Sequence, residues 1–357
     1  MWYDTPDMKH VLDMTLAELS AEIKSLGQPD FRAKQVAQWT WSKGVADFAS
    51  MTNLPAELRG RLGERMTVLT GKIVRRSDAT DGVIKLLIEW PDGQSIETVM
   101  IPAENRRTAC VSTQAGCGMG CAFCASGLHG VARNLTAGEI VEQILQLQRT
   151  CGERISHVVL MGMGEPLANY DATVSAIRAM IDPHRLGLSA RHITLSTVGL
   201  PAQIRRLAEE DIPLTLAISL HAPNDQLRCQ LIPAAKGATI AELIAAGQEF
   251  FAHRGRELTL EYILLSDVND TPQCADELAD IAGQLRCNVN LIRYNPVPGL
   301  EFRRPAEERV IAFRDRLEQA GVNVQIRASR GLQAQAACGQ LRRAATTEPH
   351  RSVPDSQ

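Results

Sequence analysis

The rhythm of apolar and polar positions changes along the chain, and each change predicts a different kind of structure. Between residues 14 and 65, apolar side chains recur every three or four positions. Thr15 stands before Leu16-Ala-Glu-Leu-Ser-Ala-Glu-Ile-Lys-Ser-Leu26 as a helix cap, and Gly27 follows as a stop. A second helical pattern runs from Phe31 to Lys43-Gly44. A third covers 55–62, with Pro55 at a helix start, where proline is tolerated. The periodicity then changes in Val83-Ile-Lys-Leu-Leu-Ile-Glu89 and Ser95-Ile-Glu-Thr-Val-Met-Ile101. These flank Pro91-Asp-Gly93, a hairpin signal.

From about residue 108, short apolar runs alternate with longer amphipathic ones. The predicted strands are 108–113, 157–161, 192–196, 214–219, 258–265, 288–293 and 322–327, separated by helices at 136–150, 171–181, 201–210, 239–254, 272–286 and 305–320. Such alternation predicts an α/β fold with a parallel sheet. Six full units fit a partial (β/α)6 barrel with its site at the carboxyl ends of the strands. An open doubly wound sheet is the competing architecture. The expected organisation is a helical accessory domain over 1–66, a β-hairpin extension over 67–103, the partial barrel over 104–330 and a C-terminal segment over 331–357. The last stretch, 344–357, reads as a loose polar tail.

Composition adds limits. At 357 residues the chain can bury a substantial core, and no apolar run approaches a membrane span. Met1-Trp-Tyr-Asp-Thr-Pro-Asp7 lacks the basic and apolar regions of a signal peptide. The nine cysteines are an odd number and do not form the framework of a small secreted domain, so a reducing, cytoplasmic setting is expected. With a net charge of −3, a nucleic-acid partner has to be gripped by local basic patches.

The candidate chemistry starts at Cys117, Cys121 and Cys124, spaced C-x3-C-x2-C immediately after the first predicted barrel strand. A closed zinc site takes four protein ligands. A cubane iron–sulfur cluster held by three thiolates instead keeps one iron open for chemistry. Met161-Gly-Met-Gly-Glu-Pro166 follows the second strand. Its glycines let backbone approach a ligand, and Glu165 can accept a charge-assisted hydrogen bond from an ammonium. Ser196-Thr-Val-Gly199, Ser219-Leu-His221 and Asn295-Pro-Val-Pro298 end later strands, so together they describe one rim. Cys110 and Cys338 stand apart from the triplet. Cys338 is flanked by glycine beyond the last strand, where it can swing over the barrel mouth.

The cysteine spacing, with Phe123 before its third member, closely resembles the radical S-adenosylmethionine (SAM) superfamily. Phe31-Arg-Ala-Lys-Gln35, Met51-Thr-Asn-Leu54, Met161-Gly-Met-Gly-Glu-Pro-Leu167, Ser196-Thr-Val-Gly-Leu200, Leu216-Ala-Ile-Ser-Leu-His-Ala-Pro-Asn-Asp225 and Ala337-Cys-Gly-Gln-Leu341 further resemble the RlmN/Cfr family of radical SAM RNA methyltransferases. That resemblance, over roughly residues 26–343, implies a [4Fe-4S] cluster on Cys117, Cys121 and Cys124, with two SAM molecules consumed per turnover. It puts SAM contacts on Gly164, Glu165, Ser196, Ser219, Leu220, His221 and Asn295. It also implies methylation of an adenine ring carbon in 23S rRNA, through an S-methyl group on Cys338 and a transient Cys110–Cys338 disulfide, with Glu97 as general base. The RlmN-type reading is C2 methylation with an additional tRNA substrate, and the Cfr-type reading is C8 methylation. Leu291-Ile-Arg-Tyr-Asn-Pro296 is closer to the second type, whereas Glu165-Pro-Leu167 and Ser329-Arg-Gly331 are closer to the first. A radical SAM enzyme on a non-RNA substrate is the remaining alternative. The expected partners are rRNA, tRNA and a flavodoxin-type electron donor, without a membrane, for a monomer. Arg32, Lys34, Lys43, Trp39 and Trp41 are candidate RNA contacts.

Overall fold

The computed structural model describes residues 8–342, so the expectations for the first seven residues and for the tail from 344 lie outside the described residues. The frame is one ten-stranded sheet. Its members are β1 (Lys72–Asp78), β2 (Ile84–Glu89), β3 (Ser95–Ala103), β4 (Arg106–Cys110), β5 (His157–Leu160), β6 (Ile193–Thr197), β7 (Thr215–Ser219), β8 (Leu258–Leu264), β9 (Cys287–Arg293) and β10 (Val324–Arg327). They lie side by side in chain order. Strands β4 to β10 are parallel, and β1 to β4 are antiparallel. A doubly wound sheet reverses its strand order at a switch point. This sheet never reverses, and β1 does not pair with β10, so it is the expected open, partial barrel.

Crossover helices cover its outside: α4 (Ala137–Cys151), α5 (Tyr170–Ile181), α6 (Pro201–Glu209), α7 (Asp225–Leu231), α8 (Ile240–Arg254), α9 (Pro272–Gly283) and α10 (Glu307–Gln319). Their starts follow local chemistry. Thr136 with Glu139 and Thr239 with Glu242 form reciprocal capping boxes, and Thr271 caps α9 ahead of Pro272. One face of the parallel strands is buried through Leu195, Leu216, Leu260 and Val289, which share that face in register and are under 2 % exposed.

The N-terminal unit holds three helices, here numbered from the chain start as α1 (Leu16–Ser25), α2 (Phe31–Ala37) and α3 (Ala56–Gly63), around its own core of Ile23, Val36, Met51 and Leu62. After α2 the helix widens into a π turn over Gln38–Ser42. The unit docks on α4. The Asp13 carboxylate accepts the Gly138 N–H, and Glu142 accepts the N–H groups of Thr70 and Gly71 at 2.9 and 2.7 Å.

Two elements differ from the sequence expectation. The segment before the barrel contributes three strands to the main sheet, not a separate hairpin. The extra strand, β1, is an edge strand rich in lysine and arginine, and this composition hid it. The first barrel strand also stops at Cys110. Beyond it, Gln114–Gly116 pairs antiparallel with Val131–Asn134 and clamps both ends of the cysteine loop. That ribbon needs Gly116, whose φ is +90° and whose Cβ would stand 2.0 Å from the Gly130 carbonyl oxygen.

Candidate active site

At the carboxyl ends of β4 to β10 lie two cavities with a common wall. The first is lined by Cys117, Cys121, Cys124, Gly164, Glu165, Ser196, Ser219 and His221, among others. The second contains Cys110, Asn295 and the segment from Ala336 to Gly339. Cys124, Met161, Arg327 and Cys338 border both. Of the twelve cofactor-binding and cysteine positions expected from sequence, all but Leu220 therefore border the first cavity or, for Cys110 and Asn295, the second. Leu220 is buried and presents only its backbone N–H, which donates to the Glu261 carbonyl at 3.0 Å.

The cysteine loop is held from several sides. The Cys117 N–H donates to the Gly130 carbonyl, the Ala122 N–H to the Leu231 carbonyl and the Ala125 N–H to the Gly339 carbonyl. Burial pushes the three thiols up, Cys117 to about 11. They stay protonated until a metal displaces the protons. Among the described residues no three ligands converge as closely as a single ion requires. Cys117, Cys121 and Cys124 line one cavity and would be the thiolates that hold a cubane cluster there.

The Glu165 carboxylate is 2 % exposed and accepts N–H groups from Leu167 and Val198 at 3.0 and 2.9 Å. Burial pushes its pKa up, against those hydrogen bonds. Gly164, at φ +101°, leaves space that a Cβ would close, since a methyl there would sit 2.7 Å from the Gln114 backbone nitrogen. Ser196 and Ser219 hydroxyls meet at 3.1 Å on neighbouring strands. His221 has the left-handed φ of 60°, accepts the Ile263 N–H on Nδ1 and packs edge-on against Phe123. Burial and Arg228 push its pKa down to about 3, which keeps the ring neutral.

Two family models match: the ribosomal RNA large subunit methyltransferase N-terminal domain over residues 9–68, and the radical SAM superfamily over 111–278. A probable dual-specificity RNA methyltransferase RlmN of Symbiobacterium thermophilum is 49 % identical over 333 residues, covering 92 % of this chain and 90 % of that protein. The corresponding protein of Thermosynechococcus vestitus is 46 % identical, over 94 % of this chain and 98 % of its own length. The crystal structure of a radical SAM methyltransferase from Sphaerobacter thermophilus superposes with a TM-score of 0.91 at 43 % identity, covering 94 % and 99 % of the two chains. The chain belongs to the RlmN family of radical SAM enzymes.

It is accordingly a SAM-dependent methyltransferase, and its family's cofactors are a [4Fe-4S] cluster and SAM. The donor set of this chain fits both. Three half-buried thiols on one cavity match the cluster. For SAM there is a buried carboxylate beside a cradle kept open by Gly164, and Asn295 Oδ1 is a buried acceptor without a partner. Cys338 is exposed, and its segment sits across the barrel mouth. Asn295 Nδ2 donates to the Cys338 carbonyl at 3.1 Å, Ser126 Oγ to the Leu341 carbonyl at 2.6 Å and Gln340 Nε2 to the Pro296 carbonyl at 2.9 Å. Cys110 is buried, and its thiol is pushed up to about 12.

Glu97 borders neither cavity. It is 1 % exposed, pairs with Lys85 at 2.8 Å and accepts the Arg342 N–H at 3.0 Å. Lys85 in turn donates to the Gln335 carbonyl. The pair thereby fastens the Cys338 segment to the antiparallel half of the sheet.

Sequence reasoning missed Arg327 and Glu261 as cavity residues. Arg327 lies 3.2 Å from Glu261 and 3.5 Å from the Met161 sulfur. A charged residue at the carboxyl end of the last predicted strand was the available signal.

Proposed function

We propose that this enzyme methylates C2 of an adenine in 23S rRNA, and of an adenine in a tRNA anticodon loop, using Cys338 as the methyl carrier. The reading rests on one observation above all: Cys110 and Cys338 line one cavity, and Cys338 also borders the cavity of the cluster cysteines and Glu165. When bound, SAM would supply the methyl group and the radical that takes a hydrogen from it. The relatives are named RNA methyltransferases, which supports an RNA substrate.

On this reading Glu165, Ser196, Ser219, His221 and Asn295 hold SAM. The Cys338 thioether reaches the adenine, whose ring carbon is too electron-poor to attack a methyl group itself. The S–CH2 carbon, as a radical, bonds to C2. Glu97 takes the ring proton after Arg342 has released its carboxylate, and the unpaired electron leaves to a one-electron acceptor, a role the oxidised cluster would fill. The Cys110 thiolate then attacks the Cys338 sulfur. An S–S bond forms as the S–CH2 bond breaks, and the electron pair of that bond goes to the carbon, which takes up a proton and stays on adenine as its methyl group. A reductant later reopens the disulfide. A flavodoxin-type donor, a cytoplasmic location and a monomeric state accompany the proposal.

The RNA is gripped by the N-terminal unit. Lys43 lies 3.4 Å over the Trp39 ring, Lys34 is exposed, and Phe31 is 52 % exposed beneath Arg32. Lys43, Arg149, Arg154 and Arg185 line a groove between this unit and α4–α5, and charge of this sign suits phosphates. Trp41 is buried beneath Arg185 and is a core residue, not a stacking platform.

Mass spectrometry of nucleosides from rRNA and tRNA treated with the iron-loaded enzyme tests the proposal. The expected product is 2-methyladenosine in both RNAs. The C8 reading, favoured by Leu291-Ile-Arg-Tyr-Asn-Pro296, instead yields 8-methyladenosine. Absence of any methyladenosine contradicts both.

A further inference from the structure

Arg228, on α7, is among the largest fully buried side chains of the protein, at 1 % exposure. Burying a guanidinium is costly unless a counter-charge accompanies it. Arg228 forms no ion pair among the described residues. Its terminal nitrogens donate to the Val198 and Ala238 carbonyls, and its Nε has no hydrogen-bond partner. Of the titratable side chains, Asp225, Cys121 and Cys229 lie near enough to act on it, and the two thiols are neutral while protonated. Asp225 is exposed at the start of α7, where it accepts the Ile240 N–H. Within its own surroundings, the protein leaves this cation largely uncompensated.

The surroundings point to the missing partner. The helix that carries Arg228 is bonded to the cysteine loop, since the Leu231 carbonyl accepts the Ala122 N–H at 2.9 Å. Cys121, Phe123, Cys124, Leu227, Cys229 and Leu231 pack in one apolar cluster. Three thiolates around an oxidised cubane core carry one net negative charge, and one added electron makes it two. Arg228 also holds the Val198 carbonyl, while the N–H of that residue is bound by Glu165.

We propose that Arg228 is the buried counter-cation of the cluster and favours its one-electron reduced state, a step in which no bond forms or breaks and the electron comes from a low-potential one-electron donor. Its attraction to the cluster increases as the electron arrives. Arg228 touches no reacting atom, so it is a positioning residue, and it acts on the readiness of the cluster to accept the electron.

A potential titration of the reconstituted full chain, followed by electron paramagnetic resonance, tests this inference. R228M removes the charge and keeps the stem, R228Q also keeps hydrogen-bonding capacity toward the carbonyls, and R228K restores the charge. Both neutral variants are expected to shift the midpoint to more negative potential, leaving about tenfold less reduced cluster at a fixed potential, equivalent to about 59 mV for one electron. R228K is expected to stay near the parent. A folded R228Q that takes up no iron, beside an R228K that does, also bears the proposal out. Unchanged midpoints in R228M and R228Q, or an R228K shifted as far as they are, overturn it. So do neutral variants that fail to fold while R228K folds, because the charge then serves the fold. The inference rests on the cluster reading. A parent protein that binds no iron sinks that reading, whereas an iron-loaded parent with insensitive variants sinks only the role of Arg228.

Discussion

The two cavities meet at Cys338 but are built in different ways. The cluster cavity starts from local contacts: the ribbon Gln114–Gly116 with Val131–Asn134 closes the cysteine loop, and Glu165 is bound by Leu167, its neighbour but one. Val198, Leu231 and Gly339 add backbone contacts from a later strand end, α7 and the C-terminal segment. The Cys110–Cys338 cavity depends on contacts between residues 215 to 253 positions apart, through Ser126 with Leu341, Glu97 with Arg342, Lys85 with Gln335 and Thr80 with Gln333. The difference assigns separate tasks. On the proposed mechanism, radical generation needs one loop and the strand ends around it, whereas methyl transfer needs residues 80–126 fastened to residues 333–342.

Replacing a cluster ligand should give the largest effect. C121A is expected to lose iron, SAM cleavage and methylation together, on the order of 10⁴-fold in rate, as measured by iron content and 5′-deoxyadenosine release. C338A should separate the cavities. Its methylation should fall as far, while iron content and the electron paramagnetic resonance signal stay at parent levels. A C338A protein that still methylates RNA removes the carrier role.

Breaking the long-range fastening should be milder. K85M leaves Glu97 buried without its cation, so stability should fall by about 3–5 kcal/mol in denaturant titrations. Proteolysis should then cut the C-terminal segment first, with the cluster loop protected. G164A forces a methyl group into a left-handed backbone and against Gln114, with an expected cost of about 1–3 kcal/mol and weaker SAM binding by calorimetry.

The smallest effect concerns the dock between the N-terminal unit and α4. Burial opposes the His10 imidazolium, but Asp13, Glu142 and Glu139 outweigh it and hold its pKa above 6.5. The His10 contribution is therefore fully present below pH 6.5 and is lost as the pH rises through the elevated value. Asp13 behaves oppositely. Its pKa is held below 3.8, chiefly by His10 and the Gly138 N–H against burial, so its contribution is present above 3.8 and lost as the pH falls through the depressed value. Thermal melts should thus weaken toward alkaline pH, and H10Q should flatten that limb.

The same division decides how much could be read from sequence. The seven parallel strands and their six principal helices were legible because each is a local periodicity, bounded by Thr–Glu capping boxes or proline. The cysteine loop, Glu165, Ser196, Ser219 and His221 were legible because they follow strand ends directly. Strand β1 was hidden by edge-strand charges, and α7 by its seven-residue length. The ion pair of Glu97 with Lys85 and the position of Arg327 across from Glu261 depend on sheet register, and no single-segment pattern records that.

The central claim is that Cys110 releases RNA from Cys338 inside the shared cavity. Iron-loaded C110A, incubated with SAM, a reductant and substrate RNA, tests it most directly on a denaturing gel. The account predicts a covalent protein–RNA adduct, mapped by mass spectrometry to Cys338, and little free methylated RNA. Parent-level release of methylated RNA by C110A, with no adduct, would contradict it.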